Sequence, residues 1–170
     1  MPGNAFIKFN GVPEGESFQT TNPGSAGWIE IGDWSWDIEA ETSFLKGGGA
    51  SVGKATPGNF SFSHYYDKAS PIIMGKIVAG TSFPDVTLQM LKQTGAPQPQ
   101  KYMEIVMKNV FITKVSSKGG EDGAVNQDVE MVFKSISVSY FAQTNAGPLE
   151  GSPKEFEWDI ASMKLIKPAG

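Results

Sequence analysis

Strict alternation of apolar and polar residues is the feature that most constrains the fold of this chain. Residues 156–160 read Phe-Glu-Trp-Asp-Ile, and residues 60–66 and 86–90 alternate in the same way. Because successive side chains of a strand point to opposite faces of a sheet, this period of two predicts strands buried on one face. Four further segments are strand candidates by the same criterion: residues 5–9, 28–40, 102–116 and 129–141.

These segments predict an all-β fold, a closed barrel of two β-sheets. Dividing the longer segments where the alternation changes phase leaves about nine or ten short strands, a number typical of a barrel or a sandwich. The chain has 170 residues, which is enough to bury one core. We therefore expect a single domain over residues 1–170.

Two changes of phase predict where the strands are irregular. Trp34 and Trp36 are out of phase with Ile29 and Ile31, and a β-bulge at Gly32 would direct all four into the core. Ser35 would then face solvent. Residues 129–141 change phase at 134–135, which indicates a bend or a passage from one sheet to the other. The alternative is a strand buried on both faces, for which residues 102–116 are a candidate.

One short α-helix is predicted over residues 71–79. Ser70 can cap it, a proline occupies its first position, and Gly80 follows its last residue. Ile73 and Ile77 are four residues apart and share one helical face. A helix of this length is not stable alone, so we expect it to pack against the barrel.

Three segments rich in glycine, proline, serine and asparagine predict long loops: residues 11–27, 45–58 and 142–154. Residues 48–55 nearly match the phosphate-binding motif GxxxxGK[ST]. However, Ala55 stands where that motif needs a hydroxyl, and an alternating strand follows where it needs a helix. We therefore interpret the segment as a glycine-rich loop and expect no cofactor.

Catalytic chemistry has little support in the sequence. The chain has no cysteine, which excludes thiolate nucleophiles and thiolate metal sites, and His64 is its only histidine. A small hydrolase that combines His64 with Ser61, Ser63 or Asp67 is an alternative hypothesis, but alternating serines are simply the polar face of a strand. We favour a structural histidine, no metal site and no enzymatic activity.

The charges and the remaining apolar residues also limit the function. Four acids at alternate positions, Asp33, Asp37, Glu39 and Glu41, are best interpreted as one solvated row rather than as the two carboxylates of a glycosidase cleft. The net charge is −4 and the chain lacks arginine, so nucleic acid is not an expected partner. Neither a signal peptide nor a membrane-spanning apolar run is visible. Phe141, Tyr65 and Leu91 fall on otherwise polar faces, which suggests an outer surface covered by another subunit.

Several short motifs, in their order and spacing, resemble one family. They are Phe6-Ile7-Lys8, Trp34-Ser35-Trp36, the glycine run 47–49 with Gly53-Lys54, the decapeptide 62–71, Phe-Pro-Asp-Val-Thr-Leu at 83–88, Gly-Gly-Glu-Asp at 119–122, Val-Ser-Tyr at 138–140 and Trp-Asp-Ile at 158–160. The chain resembles the Hcp family, the haemolysin-coregulated proteins of bacterial type VI secretion. The resemblance extends nearly from end to end, and residues 11–27 and 97–99 look particular to this chain.

The resemblance implies a structural function. Six barrels of this family form a ring, the rings stack into a tube inside a contractile sheath, and the protein is secreted and can carry effectors in the ring lumen. The implied partners are other copies of the chain and the sheath, spike and effector proteins. The implied route leads from the bacterial cytoplasm through the secretion system, without a signal peptide. A phage-tail-like tube protein of the same architecture is the alternative.

The resemblance also implies roles for particular residues. Residues 45–58 correspond to an extended loop that reaches neighbouring subunits or rings, and its candidate assembly residues are Gly47, Gly48, Gly49, Gly53 and Lys54. Ser35 corresponds to a position that faces the lumen.

Overall fold

The computed structural model describes residues 5–10, 28–44, 50–92, 99–144, 147, 149 and 151–168, without the side chains of 41–44 and 50–54. The described residues form twelve β-strands and one α-helix, which confirms the all-β prediction. In chain order these are β1 (Ala5–Phe9), β2 (Trp28–Ile31), β3 (Trp34–Ser35), β4 (Ile38–Phe44), β5 (Ala50–Pro57), β6 (Phe60–Tyr65), α1 (Ser70–Ala79), β7 (Phe83–Lys92), β8 (Gln100–Gly119), β9 (Val125–Val132), β10 (Ser135–Tyr140), β11 (Lys154–Asp159) and β12 (Lys164–Lys167).

Two antiparallel sheets share the long strand β8. Sheet I has the order β12–β11–β10–β8–β7–β1–β2 and uses β8 up to Val110. Sheet II has the order β3–β6–β9–β8 and uses β8 from Phe111 onward. Strands β4 and β5 pair with each other in a separate two-stranded sheet. One strand therefore belongs to both sheets and holds them around a common core.

The barrel closes at the junction between β2 and β3. The Gly32 N–H donates to the Ser63 carbonyl at 2.8 Å, and the Ser63 N–H donates to the Asp33 carbonyl at 3.0 Å. These bonds join β6 to the end of β2, so the circuit β8–β7–β1–β2–β6–β9–β8 is continuous. A side chain at Gly32 would crowd Ser63, whose Oγ would lie 3.2 Å from a Cβ at that position. The predicted closed barrel of two sheets is confirmed.

The predicted irregularity at Gly32 is a change of sheet and not a β-bulge. β2 ends at Ile31 and pairs with β1, whereas β3 begins at Trp34 and pairs with β6. Trp34 and Trp36 nevertheless pack against the core, as expected. The prediction of a β-bulge was wrong, because a change of hydrogen-bonding partner between β2 and β3 alters which residues face the core as effectively as an inserted residue does.

The second predicted passage between sheets is confirmed. β9 pairs with the second half of β8 and β10 with its first half, and the break falls at residues 133–134. Burial of β8 on both faces is wrong. Its buried residues change phase instead, from Ile105 and Met107 to Val110 and Ile112, around Asn109, whose φ of 54° lies in the left-handed region.

The predicted helix is confirmed, but its N-terminal cap is not. The N-cap residue is Ala69, and Ser70 is the first helical residue. The Ser70 Oγ accepts a hydrogen bond from the Asp67 N–H, and Asp67 Oδ1 accepts one from the Ala69 N–H. At the other end Gly80, with φ of 68°, donates its N–H to carbonyls of the last turn. Ile73 is fully buried in the core, and no described helix is long and apolar enough to cross a membrane.

The loop predictions were partly wrong. Residues 50–57 form β5, which pairs with β4 through partners such as Ala40 and Ala55. Ala55 packs against the core, but a two-stranded hairpin needs no regular apolar face along its length, so alternation could not reveal it. β12 was missed for the same reason, since all its residues are exposed. Residues 11–27 lie outside the described residues, and the described part of 142–153 carries only an isolated bridge between Gln143 and Leu149.

Aromatic side chains fill the core between the two sheets. Trp34 stacks on Phe60 with ring centroids 5.6 Å apart, and the rings of Trp36 and Phe133 have centroids 5.9 Å apart.

The expectation of an exposed Leu91 was wrong, because Leu91 belongs to a second buried cluster. This cluster lies on the opposite side of sheet I and consists of Phe6, Trp28 and Leu91. Tyr65 is exposed, as expected.

Truncation of Phe60 to alanine tests the importance of this packing. Phe60 is fully buried and lies beneath Trp34, so Phe60→Ala should lower the free energy of unfolding by about 3–5 kcal/mol. Val78 is 88% exposed, and Val78→Ala should change it by no more than about 0.5 kcal/mol. Urea denaturation followed by tryptophan fluorescence, at one protein concentration, measures both. Equal effects of the two substitutions would contradict this account of the core.

Candidate assembly and lumen surfaces

The outer face of sheet II carries serine and charged side chains, whereas its inner face packs into the core. The register places Ser35 opposite Ser61, Ser61 opposite Glu130, and Ser63 opposite Asp128. Strand alternation sends Trp34, Phe62 and Val129 to the core, and the polar side chains between them must face outward. The tryptophan pair flanking Ser35 therefore decides which way Ser35 points.

These outward side chains line a shallow groove of about 400 Å³. Ser35 of β3 and Asp33, just before it, lie at one side, and Lys114 and Ser116 lie on β8 at the other. Ser35 is exposed, as a position that faces a lumen must be. The groove combines hydroxyls, carboxylates and an ammonium group, so it offers both donors and acceptors to a polar surface. The lumen role of Ser35 stays a prediction.

The β4–β5 hairpin departs from the barrel next to the core tryptophans. Trp36 Nε1 donates to the Gly58 carbonyl at 3.1 Å, and the Gly58 N–H donates to the Asp37 carbonyl at 2.9 Å. A Cβ at residue 58 would overlap the Asp37 carboxylate, so a larger residue there requires that exposed side chain to move. The base of the hairpin is therefore bonded to the barrel wall.

The predicted assembly residues fall partly within this hairpin. Gly53 and Lys54 lie in β5, not in a loop, because β5 pairs with β4. Residues 47–49 lie outside the described residues. The assembly role of all five glycine and lysine residues stays a prediction.

His64 is buried on the core side of β6, away from the groove. Its Nε2 lies 2.6 Å from Gln127 Oε1, and Gln127 Nε2 donates to the Ser70 carbonyl at 3.3 Å. This chain of hydrogen bonds links β6, β9 and the start of α1. Gln127 was missed by sequence reasoning, although it occupies a core-facing position in phase with Val129, where a polar residue is unusual.

The residues of the hydrolase hypothesis are not brought together. Ser61 and Ser63 lie on the face of β6 opposite to His64. Asp67 is engaged at the start of the helix, where its carboxylate accepts a hydrogen bond from the Ala69 N–H. None of the expected nucleophile–base or base–acid contacts is present among these side chains.

The acidic row is solvated, as predicted. Asp33, Asp37 and Glu39 are exposed, and the side chain of Glu41 lies outside the described set. Within the described residues, no three acidic or histidine side chains are close enough to hold a metal ion.

Comparisons with known proteins agree with this architecture. Residues 6–140 match the family model described as "Type VI secretion system effector, Hcp". The chain is 33% identical over 162 residues to Protein hcp1 of Pseudomonas aeruginosa, covering 94% of this chain and 96% of that protein.

Solved structures share the fold over nearly the whole chain. The crystal structure of Hcp1 from Salmonella typhimurium superimposes with a TM-score of 0.74 at 26% identity, covering 98% of this chain and all of that one. A structure described as a type six secretion system protein gives a TM-score of 0.83 at 20% identity, covering 95% of this chain and 98% of that one. The chain belongs to the Hcp family of type VI secretion system proteins.

Proposed function

We propose that this chain is the tube subunit of a bacterial type VI secretion system, with six copies closing into a ring and the rings stacking into a tube. The observation that carries the proposal is the polar, grooved face of sheet II, with Ser35 exposed on it. Its serines and charged side chains are hydrated, as the wall of a lumen must be. Membership of the Hcp family supports the same conclusion.

The polar groove also suits cargo that is carried and then released. When cargo binds, each hydrogen bond to a groove side chain replaces one to water. The net contribution of each such bond to binding is therefore small, about 0.5–1.5 kcal/mol. Effectors held in the lumen by a few such contacts would leave easily after delivery. Ser35, Ser61 and Ser63 are the candidate contact residues.

The β4–β5 hairpin is the candidate assembly element between neighbouring subunits or stacked rings. It forms its own sheet and is tied to the barrel wall at Gly58. Gly47, Gly48, Gly49, Gly53 and Lys54 belong to this segment of the chain. We further propose sheath, spike and effector proteins as partners, and export from the cytoplasm by the secretion machine itself rather than through a cleaved signal peptide.

We propose that the chain has no catalytic activity of its own. His64, its only histidine, is buried and bonded to Gln127 within the barrel wall. Its contacts belong to the packing of α1 onto the sheets, so its role is structural.

The oligomeric state is the first test of the tube function. Light scattering coupled to size-exclusion chromatography should give a mass about six times that of the 18.3-kDa chain. Negative-stain electron microscopy should show closed rings. A strict monomer at high protein concentration would exclude the proposal.

The absence of cysteine allows a clean test of the lumen. In Ser35→Cys, a small maleimide should react readily, but a polymer-coupled maleimide too large to enter a ring should react at least about tenfold more slowly. Ser152 is exposed in a connection outside the sheets, and Ser152→Cys should react with both reagents at similar rates. Equally fast labelling of both variants by the large reagent in assembled rings would contradict the lumen position of Ser35.

The structural role of His64 is tested by a double-mutant cycle. Gln127→Leu leaves the imidazole without its hydrogen-bond partner and should cost about 1–3 kcal/mol of stability. His64→Phe together with Gln127→Leu should cost clearly less than the sum of the two single changes, because no buried polar atom of the pair is left unpaired. Urea denaturation gives these values. Strict additivity would argue against the pairing.

A further inference from the structure

The outer face of sheet II is polar in its middle and apolar at both ends. In its middle, Ser61 and Ser63 alternate with buried side chains of β6 and line the groove. At one end Phe111 and Val132 lie opposite each other in the register and are 38% and 36% exposed. At the other end Tyr65 follows Ser63 on the same face of β6 and is 70% exposed. Among the described residues, the exposed apolar side chains of this face therefore lie at its two ends.

The first of these ends, which we call the turn end, consists of Tyr65 and Val125. The Tyr66 N–H donates to the Val125 carbonyl at 3.0 Å, so the end of β6 and the start of β9 lie side by side. Val125 is 42% exposed. The turn from β8 to β9 is closed by a hydrogen bond from the Gly120 N–H to the Ala124 carbonyl at 3.0 Å. Backbone hydrogen bonds therefore hold the turn end in place.

The second end, which we call the hairpin end, consists of Phe111 and Val132. It lies beside the start of β6, because Phe60 pairs with Met131. The β4–β5 hairpin joins the barrel at this same end, since Gly58 comes two residues before β6. Strand β6 separates the hairpin end from the turn end by five residue steps, about 17 Å. The two apolar surfaces are thus at opposite ends of one barrel wall.

We propose that the hairpin end of one copy packs on the turn end of a copy in the next ring, and that this contact stacks the rings. The inference rests on the proposed ring and names the surfaces that join one ring to the next. A head-to-tail repeat along an axis brings opposite ends of the same chain together, so each apolar end covers the other. The polar middle between them stays hydrated in every copy. The occupant of each end is a second copy of this chain.

The small area of each end favours a copy held in a ring over a separate protein. Four partly exposed side chains bury far less than the roughly 800 Å² per partner that a stable pair of proteins needs. Between two rings, six such contacts form together, and only the first has to overcome the loss of translational and rotational freedom. Rings should therefore stack through these ends, whereas single copies should not pair through them.

Cross-linking of preformed rings tests this contact, because the chain has no cysteine of its own. Tyr65→Cys or Val125→Cys marks the turn end, and Phe111→Cys or Val132→Cys marks the hairpin end. Isotope-labelled rings of one turn-end variant are mixed with unlabelled rings of one hairpin-end variant. A short bifunctional maleimide then links neighbouring thiols and tolerates a less strict geometry than a disulfide does. Mass spectrometry measures the rate at which labelled chains become linked to unlabelled ones.

The matched control is Leu165→Cys, at an exposed apolar position of β12 in sheet I. Linkage of a turn end to a hairpin end should be at least about tenfold faster than linkage of a turn end to residue 165, because stacking raises the local concentration of the two thiols. Two turn ends should link as slowly as the control, since a head-to-tail stack never places them together. Every substituted side chain is partly exposed, so urea denaturation should show changes in stability of no more than about 0.5 kcal/mol.

The outcomes distinguish this inference from the proposed function. A wild type that is monomeric in light scattering would overturn the ring and the stacking contact together. Wild-type rings would stand, but the contact would be overturned, if all four mixtures of turn-end and hairpin-end variants linked no faster than the control. Fast linkage between two turn ends, or links confined to particles with the mass of one ring, would also overturn the contact.

Discussion

The two hydrogen bonds that join Ser63 to Gly32 and Asp33 are the contact on which the rest of the molecule depends. They attach β6 to the strand that leaves sheet I, so both sheets enclose one core rather than lying open at an edge. The same junction turns Trp34 toward Phe60 and leaves Ser35 outside. Closure of the barrel and polarity of its outer face thus follow from one backbone contact.

The shared strand β8 carries the second constraint. Asn109 changes the phase of burial, and the strand then serves sheet I before it and sheet II after it. The second half of β8 also lines the polar groove through Lys114 and Ser116.

A buried chain of hydrogen bonds through His64, Gln127 and Ser70 holds helix α1 to the sheets. His64 and Gln127 bind each other in the wall, and Gln127 also binds the Ser70 carbonyl at the start of α1. Helix α1 is too short to be stable alone, and burial of Ile73 together with these bonds holds it to the sheets. These buried hydrogen bonds specify one docking position for the helix. Ser61 and Ser63 lie on the opposite face of β6 from His64, so neither serine is beside the imidazole.

By itself, the sequence determined the strand segments that show regular alternation, the helix over 71–79 and the direction of Trp34 and Ser35, because alternation and helix signals are local properties of the chain. Family membership was also evident from the order of its motifs. Only the tertiary structure decided that Gly32 changes sheets, that residues 50–57 pair with β4, that Leu91 is buried and that Gln127 partners His64. Each of these depends on which distant strand or side chain lies alongside, and a local sequence pattern does not specify that partner.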